Sequence, residues 1–210
     1  MVFYLPFAKL SHWQQVAFSA ALLERMLPNY QMFSDAAHFG EFSLLRNQLD
    51  LIWQWLENSN TTKINANAQL NKLEEQTPDP KAFDFFGVFP ALDTCMALTS
   101  LWQIIQSNGK DKHHEEATCV SRLSQNSVSY YVELLIIDEK TDAEIQEIQP
   151  QDIKAHPLMQ WEQASQNELF DFLKLAAENK RTCQLAKKMV LDEGLSNLGI
   201  EILEKENERN

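Results

Sequence analysis

Between Phe85 and Gly109 the chain carries a single charge, Asp93. A stretch of that length and apolarity has two physical solutions. It spans a bilayer, or it is a helix covered on all sides by the rest of the protein. Pro90, Gln103, several hydroxyls and the aspartate itself favour the second, because a charge near mid-span costs about 3 kcal/mol. A helix buried all round needs other helices to bury it. The segment therefore predicts a multi-helix core and no membrane partner.

The remaining sequence supports the same class. Only 5 of the 210 residues are glycine, and 44% are hydrophobic. β-Sandwiches and dinucleotide-binding folds need glycine turns that this chain lacks. The length suits one domain with one sizeable core, and no linker or internal repeat divides it. The expectation is an all-α, single-domain bundle of about eight helices over residues 1–203, with 204–210 a frayed tail.

Helix boundaries follow from caps and breakers. Ser11-His12-Trp13-Gln14 reads as a capping box, in which serine and glutamine satisfy each other's backbone amides. The helix behind it puts Val16, Ala20, Leu23 and Leu27 on one face. Pro28-Asn29 should interrupt it, and a short second helix should stop at Gly40. A third helix covers 41–57, with Phe42, Leu45, Leu49, Ile52, Trp53 and Leu56 as its stripe, and Asn58 to Thr62 closes it as a loop. A fourth covers 65–76. Pro90 starts the fifth, which runs to Ser107 and turns at Asn108-Gly109-Lys110. The sixth spans His113 to Ile136 with a stripe through Cys119, Leu123, Tyr130 and Leu134, interrupted by Asn126, which reads as a hydrogen-bonded core amide. Thr141-Asp142-Ala143-Glu144 opens a short acidic helix. A long helix follows Pro157, with a kink expected at Ser165, and a last one covers 180–193. Leu195–Ile202 should dock as an extended tail.

Charge narrows the partners. The net charge is −12, which repels phosphate backbones and anionic membranes. Lys180, Arg181, Lys187 and Lys188 are diluted by neighbouring acids, so no nucleic-acid partner is expected. From Glu133 to Asp152 seven acids stand against Lys140 alone. Such a run is a solvated face, or a surface that steers a basic protein. Cys95, Cys119 and Cys183 are widely spaced and odd in number, as reduced thiols of a cytoplasmic protein would be. The N-terminus has no basic lead-in and no cleavage site.

Chemical motifs are scarce. His113-His114-Glu115-Glu116 resembles a metal cluster, but the adjacent histidines point about 100° apart on a helix. Zinc ligands on a helix need a spacing of three or four. Acids in a first turn, with Asp111 as cap, explain the stretch. No GxSxG, GxxxxGK or GxGxxG occurs. No metal, cofactor or catalytic residue is assigned. Ser121, Ser124 and Ser127 are small enough to let another helix approach. Asp50 reads as the surface partner of Arg46, four residues before it. Asp93 reads as a first-turn carboxylate, or as a buried one that needs a partner such as Arg25 or Arg46.

Several stretches together resemble the YjaG-like family of bacterial proteins, which has no settled function. They are Glu24-Arg25-Met26-Leu27-Pro28-Asn29-Tyr30 with Phe33; Phe39-Gly40; Leu49-Asp50-Leu51-Ile52-Trp53; Phe83-Asp84, Gly87-Val88 and Pro90-Ala91-Leu92-Asp93; and Glu193 to Ile200. The resemblance spans nearly the whole chain and is weakest over 108–160. It implies a cytoplasmic all-helical domain and supplies no activity. It directs attention to Arg25, Asn29, Tyr30, Asp50, Trp53, Asp84 and Asp93 as candidate ligand- or partner-binding residues. The leading functional expectation is a non-enzymatic interaction module, self-associating or bound to another protein. The alternative is a ligand-binding protein or enzyme with Arg25, Tyr30, Asp50, Trp53 and Asp93 lining a pocket between the first, third and fifth helices. There the arginine would hold an anionic group and the carboxylates would serve as base or ligand.

Overall fold

The computed structural model describes residues 3–58, 64–107, 114–138 and 148–202. These form an all-α domain of eight helices: α1 His12–Ala37, α2 Phe42–Glu57, α3 Ala66–Glu74, α4 Val88–Gln106, α5 His114–Asp138, α6 Pro150–Ala155, α7 Pro157–Leu175 and α8 Lys180–Leu191. Two short 3-10 turns, Phe7–Lys9 and Pro80–Ala82, are the other helical elements among the described residues.

The apolar run is α4, as expected. Of its hydrophobic stretch 72% is buried inside the protein. Yet α4 is not the most enclosed helix, because Phe89 and Met96 face outward. That place belongs to α1, whose residues from Trp13 to Leu27 are buried without a break. It packs against α2, α4, α5, α7 and α8. The Ser11–Gln14 capping box forms in both directions, at 2.9 and 3.1 Å. The Gln14 amide then reaches the Leu173 carbonyl at 2.8 Å, tying the start of α1 to the end of α7.

Pro28 does not end this helix, contrary to the expected break. A proline inside a helix removes a hydrogen bond and costs about 3 kcal/mol. Here the turn before it receives donors from elsewhere. The Asn197 amide bonds the Arg25 carbonyl at 3.1 Å, and the Thr94 hydroxyl reaches the Met26 carbonyl at 3.2 Å. The helix stops at His38, which takes the left-handed conformation (φ 50°) expected of Gly40. Gly40 follows at φ 70°, where the Tyr30 hydroxyl leaves no room for a Cβ. Tyr30 donates to the Gln76 carbonyl at 2.9 Å, and Gln76 in turn accepts from the Glu41 amide at 2.7 Å.

Other expectations also shift. α7 passes Ser165 without a break, because the next residue, Gln166, is a core contact rather than a cap. α6 forms where no helix was expected, with Pro150 in its first turn. On α5 the inward face runs through Ala117, Val120, Ser121, Ser124, Ser127, Val128 and Val132. Tyr130 and Leu134, assigned to the core stripe, are 47% and 41% exposed. Asn126, expected in the core, is exposed as well. The serines occupy the face that an apolar-only reading gave to bulkier residues. The loop 59–62, the turn 108–110, His113, the Thr141–Glu144 box, most of the acidic run and the 204–210 tail lie outside the described residues.

Residues 195–202 fold back as a small loop closed by a bridge between Leu195 and Glu201. Its tip inserts into the protein: Ser196 and Asn197 are fully buried and Leu198 nearly so. The tail docks its apolar residue, as expected, but Asn197 makes the deeper connection.

Candidate functional site

Glu24 and Arg25 are neighbours on the central helix and therefore face about 100° apart. This splits the candidate residues into separate environments. On one side Glu24 accepts both guanidinium arms of Arg46 (2.6 and 3.0 Å), the Trp53 indole N–H (2.7 Å) and the Lys187 ammonium (3.2 Å). Burial pushes the Glu24 carboxyl up, but the hydrogen bonds and charges of Arg46 and Lys187 outweigh it and hold the group below its ordinary value. Lys187 also lies over the Trp53 ring, 5.2 Å from its centroid. Arg46 bonds Asp50 at 2.7 Å, the surface pair expected from their spacing.

On the other side Arg25 enters a buried polar chain. Its Nη1 stands 3.0 Å from Glu162 Oε2, and the two side chains are 1% and 0% exposed. Glu162 Oε1 accepts from the Ser124 hydroxyl and the Gln166 amide, both at 2.6 Å. Gln166 accepts from Ser121 at 2.6 Å. The Asn197 amide group donates to Ser124 at 3.2 Å, and Asn197 Oδ1 accepts from Asn29 at 2.7 Å. One array of hydrogen bonds thus joins α1, α5, α7 and the tail.

Asp93 belongs to neither group. α4 begins at Val88, so Asp93 lies beyond the first turn, away from the amides that would favour its charge. It is buried and accepts from Ser127 at 2.9 Å. Burial raises its pKa to about 6, against the lowering effect of the Ser127 bond. Tyr30 is held by Gln76, and Asp84 is exposed. The expected pocket joining Arg25, Tyr30, Asp50, Trp53 and Asp93 is therefore not assembled. Among the described residues no group of three or more His, Cys, Asp or Glu side chains is placed to hold a metal ion.

Among the described residues, two of the concave surfaces have a candidate residue, Arg25 or Asn29, in their lining. The first is a cleft of about 340 Å³ that has Arg25 in its wall, with Trp161, Ser165 and Leu169 of α7, Met189 and Val190 of α8, and Glu193. The second is an apolar groove of about 250 Å³ lined by Met32, Phe33, Phe86, Tyr131 and Leu198 among others.

A family described as a protein of unknown function (DUF416) matches residues 3–201. The chain belongs to the DUF416 family. Its relatives include the uncharacterised protein YjaG of Escherichia coli (strain K12), 36% identical over 200 residues, 94% of this chain and 95% of that one. An uncharacterised protein of Haemophilus influenzae is 32% identical over 194 residues, 91% of this chain and 93% of that protein. The crystal structure of a DUF416 family protein from Shewanella baltica superposes with a TM-score of 0.79 at 30% identity, covering 96% of this chain and 100% of that one. The DUF416 fold is thus shared over 96% of this chain.

Within this DUF416 chain, sequence reasoning found Arg25 and Asn29 but missed Glu162, Gln166 and Trp161. A signal was present. Glu162 and Gln166 are four apart on the same face as Met159, Leu169 and Leu173, and polar residues inside an apolar stripe mark a buried network. The aromatic groove was missed because its rings come from three segments. Phe86 contacts Phe89 and Tyr131 at centroid separations of 6.4 and 6.0 Å, and Phe89 contacts Tyr130 at 6.1 Å.

Proposed function

We propose that this protein is a non-catalytic interaction module whose apolar groove receives a basic amphipathic helix of another protein. The observation that carries the reading is the contiguous exposed aromatic surface. Met32, Phe85, Phe89 and Tyr130 are 42, 40, 44 and 47% exposed. They lie on or beside the groove formed by α1, the start of α4, the end of α5 and the tail. Scattered surface apolar residues need no explanation, but a continuous patch of this kind beside a groove marks an association site. Helices dock in such grooves through apolar side chains three and four apart.

Charge selects the partner. Asp84 and Glu133 are exposed next to Phe85 and one turn from Tyr130, and Asp35 is exposed one turn from Met32. A second copy would bring the same acidic rim and its own −12. A partner with lysine and arginine flanking an apolar stripe gains from the rim in rate and selectivity. A cytoplasmic setting fits the three free cysteines.

The test uses two fluorescent amphipathic peptides with one apolar face, rimmed by lysine in one and by glutamate in the other. Fluorescence anisotropy should show binding of the lysine-rimmed peptide only, weakened at least about tenfold by Phe89→Asp and more at high salt. Equal binding of both peptides, or full binding to Phe89→Asp, refutes the reading. A concentration-dependent dimer by light scattering that Phe89→Asp abolishes would assign the groove to a second copy instead.

A further inference from the structure

A pocket of about 250 Å³ where α5, α6 and α7 meet beside Phe3 carries charge opposite in sign to the chain as a whole. Arg122 and Asn126 reach it from α5, Ile153 and Lys154 from α6, and Met159 and Gln163 from α7. Among the described residues no carboxylate lines it, although acids outnumber bases 30 to 18 along the chain. Arg122 has no acid three or four residues away on α5. Asp152, two residues from Lys154, is turned to the start of its own helix, where it accepts from the Gln149 amide at 2.8 Å. Arg25, Arg46, Lys180 and Lys187 each have a carboxylate partner, whereas among the described residues Arg122 and Lys154 have none. A single exposed cation needs no partner. Two that line one concavity without an acid differ, because walls of one sign focus the field between them. The floor beneath them is fixed: Met159 is 4% exposed and packs with Val128, Val132 and Leu198, and Ile153 rests against the same cluster.

We infer that this pocket binds a small organic oxyanion, a carboxylate or phosphate carried on a compact body with an apolar face. The head accepts from the Arg122 guanidinium and the Lys154 ammonium, which are both exposed and so free to close on it. Such charge-assisted bonds are the strong ones, and the planar arginine fork suits either head. The body lies on Phe3, Ile153 and Met159, and the Asn126 and Gln163 amides offer donors to a further oxygen. Each part of the lining thus selects against a different competitor. A bare inorganic anion leaves the apolar wall in water. A neutral compound leaves the two cations without a counter-charge. A nucleic acid meets only these two cations on a chain of net charge −12. The pocket shares no lining residue with the aromatic groove, so it stands or falls independently of the proposed interaction.

Isothermal titration calorimetry of the full chain at low ionic strength tests the inference. Benzoate and hexanoate represent the carboxylates, and phenyl phosphate the phosphate monoesters. Benzyl alcohol, which has no charge, and inorganic phosphate, which has no apolar body, are the controls. At least one of the three organic anions should bind with a dissociation constant of about 1 mM or tighter, and both controls at least about tenfold more weakly. A tenfold preference between the two kinds of head assigns the class, and either assignment supports the inference. Arg122→Gln combined with Lys154→Gln should weaken binding at least about tenfold with the thermal midpoint unchanged, since both side chains are exposed. Lys188→Gln removes an exposed cation of α8 that lies outside the lining, and should leave binding as it was. Absence of binding by all three anions, equal binding of either control, full affinity in the double variant, or an equal loss in Lys188→Gln would each overturn the assignment.

Discussion

Asp93→Asn should make the protein progressively more stable than the parent as pH rises from 4 to 7. The buried Asp93 carboxyl has its pKa raised from 3.8 to about 6 by burial. In that window the folded protein holds a proton that the unfolded chain has lost. Stability therefore falls with rising pH, by about 1.36 kcal/mol per unit for one proton. The contribution of Asp93 is fully present below pH 3.8 and lost above about pH 6. Over the full interval the loss is about 3 kcal/mol. Asparagine keeps an oxygen for the Ser127 hydroxyl, which bonds Asp93 at 2.9 Å, and does not titrate. Its extra N–H donors add a cost that does not vary with pH. The prediction accordingly concerns the slope of the difference, in which every other titrating group cancels. Urea denaturation of both proteins across this range, by circular dichroism, gives the difference directly. A stability difference that stays flat between pH 4 and 7 would refute the burial argument.

Glu162→Gln leaves the Arg25 charge uncompensated and should cost about 3–5 kcal/mol by chemical denaturation; adding Arg25→Met should cost less than the sum of the single changes, because the two side chains share one interaction. Gly40→Ala forces a side chain into a left-handed position and against the Tyr30 hydroxyl, and should lose about 1–3 kcal/mol in thermal unfolding. Gly194→Ala, at φ 64° with open space around it, should lose only about 1 kcal/mol. Asn197→Ala removes the acceptor of the Asn29 amide and should cost about 1–3 kcal/mol, with faster amide hydrogen exchange over residues 195–202.

The helices were legible because local rules set them. The Ser11 cap, the stripe of α2 and the apolar run of α4 each lie within one segment, and no distant residue had to be known. Pro28 failed for the opposite reason. Its local rule is sound, but donors from Thr94 and Asn197, far along the chain, answer carbonyls beside it. The α5 face was misread because apolar character stood in for burial. Ser121, Ser124 and Ser127 are buried since each hydroxyl finds a partner on another helix, and a single helix carries no sign of that partner. The same limit hid the cleft. Arg25 is visible in the sequence only as one charge on a helix, while Trp161 and Glu162 come from a segment more than a hundred residues away.

These buried polar contacts also explain why the helices settle in one arrangement. Apolar helices repack with modest penalties when total volume is kept. The Arg25–Glu162 chain has far fewer acceptable registers. Glu162 Oε1 has its two donors only when Ser124 of α5 lies opposite it and Gln166 follows one turn later on α7. Sliding α5 by four residues would set Val128 or Val120 against the carboxylate and leave a buried charge without its hydroxyl donor. That penalty, several kcal/mol, is a large part of the roughly 5–15 kcal/mol that holds a domain folded. In this chain the apolar stripes gather the helices, and the polar chain through Glu162 selects the register that also places Arg25 in the wall of the cleft.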